Sequence, residues 1–182
     1  KSTVLFNHQA ARAAAAKGQS VVVAEGYVDV IALVMAGFEG AVAPLGTALT
    51  EEQIGLLWRM ANEPILCFDG DKAGQAAASR AIDRALPELQ PGKSLRFAIL
   101  PGGQDPDDLI RAQGRDAMAW VLDGARPLIE AVWERELQAL DPSTPERVAG
   151  LRARLRALAG DIREPDLRKD YARDLLDRLQ AL

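Results

Sequence analysis

The sequence is poor in the residues that build disulfide bonds and zinc sites. Its 182 residues include one cysteine, Cys67, and one histidine, His8. A lone cysteine excludes an internal disulfide bond and fits a chain that works in a reducing cytoplasm. Because zinc is usually bound by several cysteines and histidines together, a zinc site is not expected in this chain.

The sequence also lacks a long hydrophobic run, a signal peptide and an excess of positive charge. No stretch is long enough to cross a membrane, so we expect no membrane partner. The formal net charge is −4, with 48% hydrophobic and 26% charged residues. Any binding of nucleic acid must therefore be local or be carried by metal ions. The chain opens at Lys1 without a methionine, so we expect it to be a piece of a longer protein.

The clearest pattern lies in residues 64–74, which read PILCFDGDKAG. The unbroken apolar run 65–68 predicts a strand buried on both faces. Asp69 and Asp71 follow it directly, and helical spacing begins at Lys72 and continues to position 89. Two carboxylates this close repel each other unless a cation neutralises them. The simpler alternative is a turn in which Asp71 caps the following helix.

A second apolar run, 21–24, ends in the same way. Glu25 follows it directly and stands at the entrance of a helix predicted over 27–36. Asp29 lies one helical turn further on, so its side chain is expected to point back toward the same edge.

A third strand, 95–100, also runs into acidic residues. Asp105, Asp107 and Asp108 follow it after a Pro/Gly loop. An acidic helix start, favoured by the helix dipole, is the alternative interpretation. It explains Asp108 fully and the other two aspartates only in part.

These strands, with another at 40–44, are separated by stretches of helical length. That order predicts an α/β fold with a mostly parallel sheet flanked by helices and right-handed crossovers. The chain is then all helical, with predicted helices at 115–123, 126–140, 145–159 and 165–181. Arginines 152, 154 and 156 are interpreted as a solvated helix face, with a nucleic-acid patch as the alternative.

Parallel strands place their carboxyl ends at one edge of the sheet. Glu25, Asp69, Asp71 and Asp105 are therefore expected to converge, with Lys72 as the only cation close in sequence. Raised pKa values would relieve the repulsion, but binding of Mg²⁺ or Mn²⁺ is the favoured explanation. A carboxylate magnesium site suits phosphate chemistry, either nucleotidyl transfer or phosphodiester cleavage.

Three segments also carry a family resemblance: EGYVD at 25–29, DGDKAG at 69–74 and QDPD at 104–107. They resemble the three signatures of the Toprim domain as it occurs in bacterial DNA primases. The turn LGT at 45–47 and the segment VLFN at 4–7 resemble the same primase core. The resemblance implies a helix at 1–18 trailing from a basic subdomain, a Toprim α/β domain at 19–104 and a helical subdomain at 105–182.

The resemblance further implies roles for individual residues. The catalytic acids would be Glu25, Asp69 and Asp71. The metal ligands would be the same three with Asp29, Asp105 and Asp107 around them. Nucleotide or nucleic-acid contacts would come from Lys1, Asn7 and Lys72.

The implied activity is synthesis of short RNA primers on a single-stranded DNA template from ribonucleotides, by two-metal nucleotidyl transfer. The implied partner is a replicative helicase, docked through a carboxyl-terminal domain outside these residues, and the fragment itself is expected to be monomeric. A Toprim nuclease or topoisomerase fragment is the alternative, and a Toprim-containing, DNA-bound recombination or scaffold protein is a third. Type IA topoisomerases, however, have an acid where this chain has Ala73, and small Toprim nucleases usually lack the Gly26-Tyr27 pair.

Overall fold

The computed structural model describes residues 3–46 and 48–182. Two positions singled out by the sequence, Lys1 and Thr47, lie outside the described residues. The strands are β1 (Leu5–Phe6), β2 (Val22–Val23), β3 (Ala41–Pro44), β4 (Ile65–Phe68), β5 (Arg96–Ile99) and β6 (Arg126–Pro127). The helices are α1 (His8–Ala15), α2 (Tyr27–Met35), α3 (Glu51–Met60), α4 (Lys72–Ala85), α5 (Pro106–Asp123), α6 (Leu128–Ala139), α7 (Pro145–Gly160) and α8 (Pro165–Gln180).

The strands form one six-stranded sheet in the order β1-β3-β2-β4-β5-β6. The four central strands are parallel, with Val22 opposite both Ala41 and Ile65. The edge strands β1 and β6 run antiparallel to β3 and β5. The predicted mostly parallel α/β sheet is therefore confirmed. The two edge strands were not predicted, because two residues are too few to show a period.

The central strands are buried on both faces of the sheet. Val23, Leu66 and Phe97 belong to one hydrophobic core, together with residues of α3, α4, α6, α7 and α8. Val22, Ile65 and Ala98 belong to a second core, with residues of α2 and α5. This double coverage explains why the strands read as unbroken apolar runs rather than as alternating patterns.

Three helices differ from the sequence prediction. Helix α4 ends at Ala85, short of position 89, and a 3₁₀ turn containing Pro87 follows it. Helix α6 begins at Leu128, because Arg126 and Pro127 pair with β5. Helix α5 begins at Pro106 and is interrupted at Gly114, where φ is 81° and ψ is 178°. Among the described helices, none combines the length and apolar character needed to cross a membrane.

The sheet continues past the domain boundary that the sequence indicated at residue 104. Helix α5 packs on α2, and β6 extends the sheet to Pro127. Helices α6, α7 and α8 then share the first core with the sheet. The division into a Toprim domain and a separate helical subdomain stays a prediction.

A buried ion-pair network joins α4, α6 and α7. Glu136 is only 3% exposed, and it accepts from Arg135 Nε at 2.8 Å and from Arg154 Nε at 3.1 Å. Arg135 also donates to the Ser79 carbonyl at 3.1 Å and to Asp83 Oδ1 at 2.7 Å. Arg154 is exposed, in agreement with its interpretation as part of a solvated helix face, and its guanidinium also pairs with the buried Glu136 carboxylate from the preceding helix.

Replacing Arg135 by methionine removes the cation from the centre of this network while keeping much of its apolar length. We expect Arg135→Met to lower the free energy of unfolding by about 3 kcal/mol, because Glu136 keeps only one cation in a buried position. Urea denaturation measures this change. The matched control is Arg173→Met, which breaks an exposed pair with Asp170 and should cost less than about 1 kcal/mol. Equal costs for the two variants would contradict this account of the network.

Candidate metal centre

The adjacent parallel strands β2 and β4 bring Glu25 and Asp69 together. Each acid follows its strand within two residues, so both lie at the carboxyl edge of the sheet. The Asp69 backbone N–H donates to Glu25 Oε1 at 3.0 Å. The hydrogen bond joins the two strand ends, and the predicted meeting of these acids is confirmed.

Three further acids at this edge each use one carboxylate oxygen to hold the backbone. Asp71 caps α4 by accepting from Gly74 N at 2.7 Å, and Asp105 caps α5 by accepting from Asp108 N at 2.7 Å. Asp29 Oδ2 accepts from Gly26 N at 3.1 Å. The capping alternative is therefore correct for Asp71. Capping by Asp105 was not predicted, because the alternative for its loop was only an acidic helix start. Capping does not exclude a second role, since one oxygen of each aspartate makes no hydrogen bond to the described residues.

Gly70 allows two loops to come into close contact beside the acids. A Cβ atom at this position would lie 2.2 Å from the carbonyl oxygen of Leu100. The Gly70 N–H also donates to the Gln104 carbonyl at 3.1 Å. Because only glycine leaves room for this approach, the loop before Asp105 packs against the turn that carries Asp69.

Of the acids at this edge, Asp69 is the one least favourably placed to carry a negative charge. Its pKa is raised to about 7, first by burial and next by the negative charge of Glu25. Asp69 Oδ1 is buried and has no hydrogen-bond partner among the described residues. The pKa of Asp29 is raised to about 6, again first by burial and then by the charge of Asp105, against the opposing effect of the Gly26 N–H.

Little positive charge offsets these acids. Within the described residues, the only ion pair that they make joins Asp107 Oδ2 to Arg111 at 2.9 Å. Lys72 is exposed at the start of α4 and makes no ion pair within that same part of the chain. The edge thus concentrates negative charge, as the sequence predicted.

The carboxylate oxygens at this edge suit a hard divalent cation that keeps part of its water shell, rather than a cation enclosed entirely by protein ligands. Among residues 3–46 and 48–182, no three histidine, cysteine or acidic side chains are arranged to hold one metal ion. Mg²⁺ commonly needs only one or two carboxylates, because it keeps several waters and binds substrate phosphates. The unpartnered Asp69 Oδ1 offers one such carboxylate oxygen at this edge.

The residues predicted to contact nucleic acid have different surroundings. Asn7 adopts a left-handed conformation with φ of 61°, and its amide donates to the Ala41 carbonyl at 3.0 Å. It therefore holds the amino-terminal segment against β3. Two residues that sequence reasoning missed, Arg80 and Arg84, line a cavity beside Glu25. No motif marks them, because an arginine in a helix usually faces solvent.

Comparison with known proteins agrees with this arrangement. A sequence model of the Toprim domain matches residues 19–97. The DNA primase of Pseudomonas aeruginosa is 48% identical over 132 residues, which make up 72% of this chain and 20% of that protein. A crystal structure of a primase domain from the same organism has a TM-score of 0.90 at 40% identity. The match covers 100% of this chain and 56% of that primase chain. The structure of a primase catalytic domain bound to single-stranded DNA has a TM-score of 0.87 at 36% identity. The match covers 97% of this chain and 57% of that one.

The match of residues 19–97 to the Toprim model, together with the parallel central strands and their acidic carboxyl edge, identifies a Toprim protein. Within that class, the sequence and fold similarities show that the chain belongs to the bacterial DNA primase family, as part of the catalytic core. It spans 20 to 30% of the length of the curated relatives it matches.

The raised pKa of Asp69 predicts how the stability of the metal-free chain changes with pH. Between about pH 4 and 7, the folded chain binds a proton at Asp69 that the unfolded chain has lost. The contribution of this group to stability therefore falls as pH rises through that range. Asp69→Asn removes the titration, so in EDTA the variant should melt above the unmodified chain at pH 8.

The difference between the two melting temperatures should shrink when both proteins are measured at pH 5. Melting curves at a series of pH values, in the same chelating buffer, measure this convergence. A difference that stays constant from pH 5 to pH 8 would contradict the raised pKa of Asp69.

Proposed function

We propose that this chain is the Toprim-containing part of a DNA primase, which joins ribonucleotides into an RNA primer on a single-stranded DNA template. The observation that carries the proposal is the buried, unpartnered Asp69 Oδ1 beside Glu25, in a chain that matches primase cores along its whole length. The solved relative bound to single-stranded DNA supports the choice of template. The comparisons do not favour the nuclease alternative, since curated DNA primases match this chain at 48% and 38% identity.

The proposed cation is Mg²⁺ or Mn²⁺. Glu25, Asp69 and Asp71 would hold it, with Asp29, Asp105 and Asp107 around them. Once bound, a divalent cation supplies positive charge to the reacting phosphates and to the attacking hydroxyl group. Asp71 and Asp105 can contribute because each uses only one oxygen as a helix cap.

The protein's own groups have distinct proposed tasks. Glu25 is exposed at the strand end, and only one of its oxygens is engaged by the Asp69 N–H. Its second oxygen would accept the proton of the primer hydroxyl. Lys72 is exposed next to Asp71 and offers an ammonium group to the phosphates of a nucleotide. Asn7 acts by positioning, because its amide is already bonded to the Ala41 carbonyl.

The remaining partner predictions come from the family resemblance. A replicative helicase would bind a part of the protein outside these residues. The setting would be the cytoplasm of a bacterial cell, at the replication fork.

Binding of a divalent cation should raise the melting temperature, because a ligand of the folded state stabilises that state. We expect Mn²⁺ to stabilise the unmodified chain and to have no effect on the double variant Asp69→Asn, Asp71→Asn. Asparagine at position 71 can still cap α4, so the variant retains its fold. Thermal melting with and without Mn²⁺ provides the measurement.

The matched control is Asp170→Asn with Asp174→Asn, which removes two carboxylates from helix α8. It should respond to Mn²⁺ as the unmodified chain does. If the edge variant kept the full response to Mn²⁺, the cation would bind elsewhere.

Template binding by the 182 residues alone should be weak. Their formal net charge is −4, and affinity for nucleic acid depends largely on lysine and arginine contacts to phosphate. We expect low affinity for single-stranded DNA that falls steeply with salt, and little or no primer synthesis. The longer parent protein should make RNA primers and should lose that activity on Glu25→Gln. Magnesium-dependent nicking of DNA by the chain, with no primer synthesis by the parent, would instead establish the nuclease alternative.

A further inference from the structure

A cavity of about 360 Å³ opens at the carboxyl edge of the sheet, beside the acids. Val23 and Phe68, at the ends of β2 and β4, contribute to its walls, as do Leu49 and the α4 residue Ala77. Glu25 belongs to both places, since it lines the cavity and also accepts from the Asp69 N–H. The cavity and the acidic edge are therefore one continuous site.

The walls are mainly apolar, and their charged groups are Glu25, Arg80 and Arg84. Arg84 donates to the Leu49 carbonyl, so it helps to fix one wall. Arg80 is exposed and makes no hydrogen bond or ion pair within residues 3–46 and 48–182. A guanidinium group is only a donor, so the free group suits a ligand that carries acceptors. Apolar walls with a few convergent polar groups, in a volume of this size, are typical of small-molecule sites.

We propose that this cavity receives the base of a nucleoside triphosphate whose phosphates reach the acidic edge. This inference rests on the proposed function, because it assigns a second part of the same site. A flat heteroaromatic ring fills apolar walls, and its ring nitrogens and carbonyl oxygens can accept from Arg80. The phosphates are assigned to the acidic edge rather than to the cavity, because the cavity wall is mostly apolar and includes the carboxylate of Glu25.

Two neighbouring alanines on α4 offer a matched test. Ala77 lines the cavity, whereas Ala76 is exposed and does not. Ala77→Leu should narrow the cavity, and Ala76→Leu adds the same side chain outside it. Calorimetric titrations with ATP and with inorganic tripolyphosphate, both in the presence of Mn²⁺, separate the base from the phosphates.

We expect Ala77→Leu to weaken ATP binding at least tenfold and to leave tripolyphosphate binding unchanged. Ala76→Leu should change neither. Arg80→Gln should weaken ATP binding alone, and it decides the question if thermal melting shows that Ala77→Leu does not fold. The proposal is overturned if Ala77→Leu leaves ATP binding intact, or if Arg80→Gln weakens both ligands equally.

The same titrations keep this inference apart from the proposed metal site. Asp69→Asn should weaken the binding of both ATP and tripolyphosphate. If it weakens neither, the metal assignment fails. The comparison of Ala77→Leu with Ala76→Leu still decides, on its own, whether the base occupies the cavity.

Discussion

The central constraint in this structure is the repulsion between carboxylates at the ends of buried strands. The order of the parallel strands brings Glu25 and Asp69 to the same edge, and Asp105 follows the neighbouring strand. Asp69 is held there although its Oδ1 is buried and finds no partner among the described residues. Burying a polar oxygen without a hydrogen-bond partner costs free energy of folding. The surrounding backbone must therefore hold the acids together, and a bound cation would relieve the repulsion.

The backbone holds the acids together with hydrogen bonds and with a close contact between two loops. The Asp69 N–H is bonded to Glu25, and Asp71 and Asp105 fix the first turns of α4 and α5. Gly70 lets the loop before Asp105 lie directly on the turn that carries Asp69. Helix α4 is in turn held at its middle by Arg135, which donates to the Ser79 carbonyl. The helices after the sheet thus support the element that carries part of the site.

Much of this arrangement could be predicted from the sequence. The unbroken apolar runs identified the central strands, and the acids placed directly after them indicated that negative charge gathers at the carboxyl edge of the sheet. The rest depended on tertiary contacts. The pairing of Arg126 and Pro127 with β5, and of Arg154 with Glu136, is set by packing between distant segments. The cavity beside Arg80 could not be read from the sequence, because it arises where α4, the segment after β3 and two strand ends meet.

The central claim is that the carboxyl edge binds a divalent cation through Asp69, and crystallography with Mn²⁺ tests it most directly. Crystals of the chain grown or soaked with Mn²⁺ would be measured at a wavelength where manganese scatters anomalously. The account predicts an anomalous peak in contact with Asp69 Oδ1 and with a free oxygen of a neighbouring acid at the same edge. A map of good quality with manganese bound only at other acids, and none at Asp69, would contradict it.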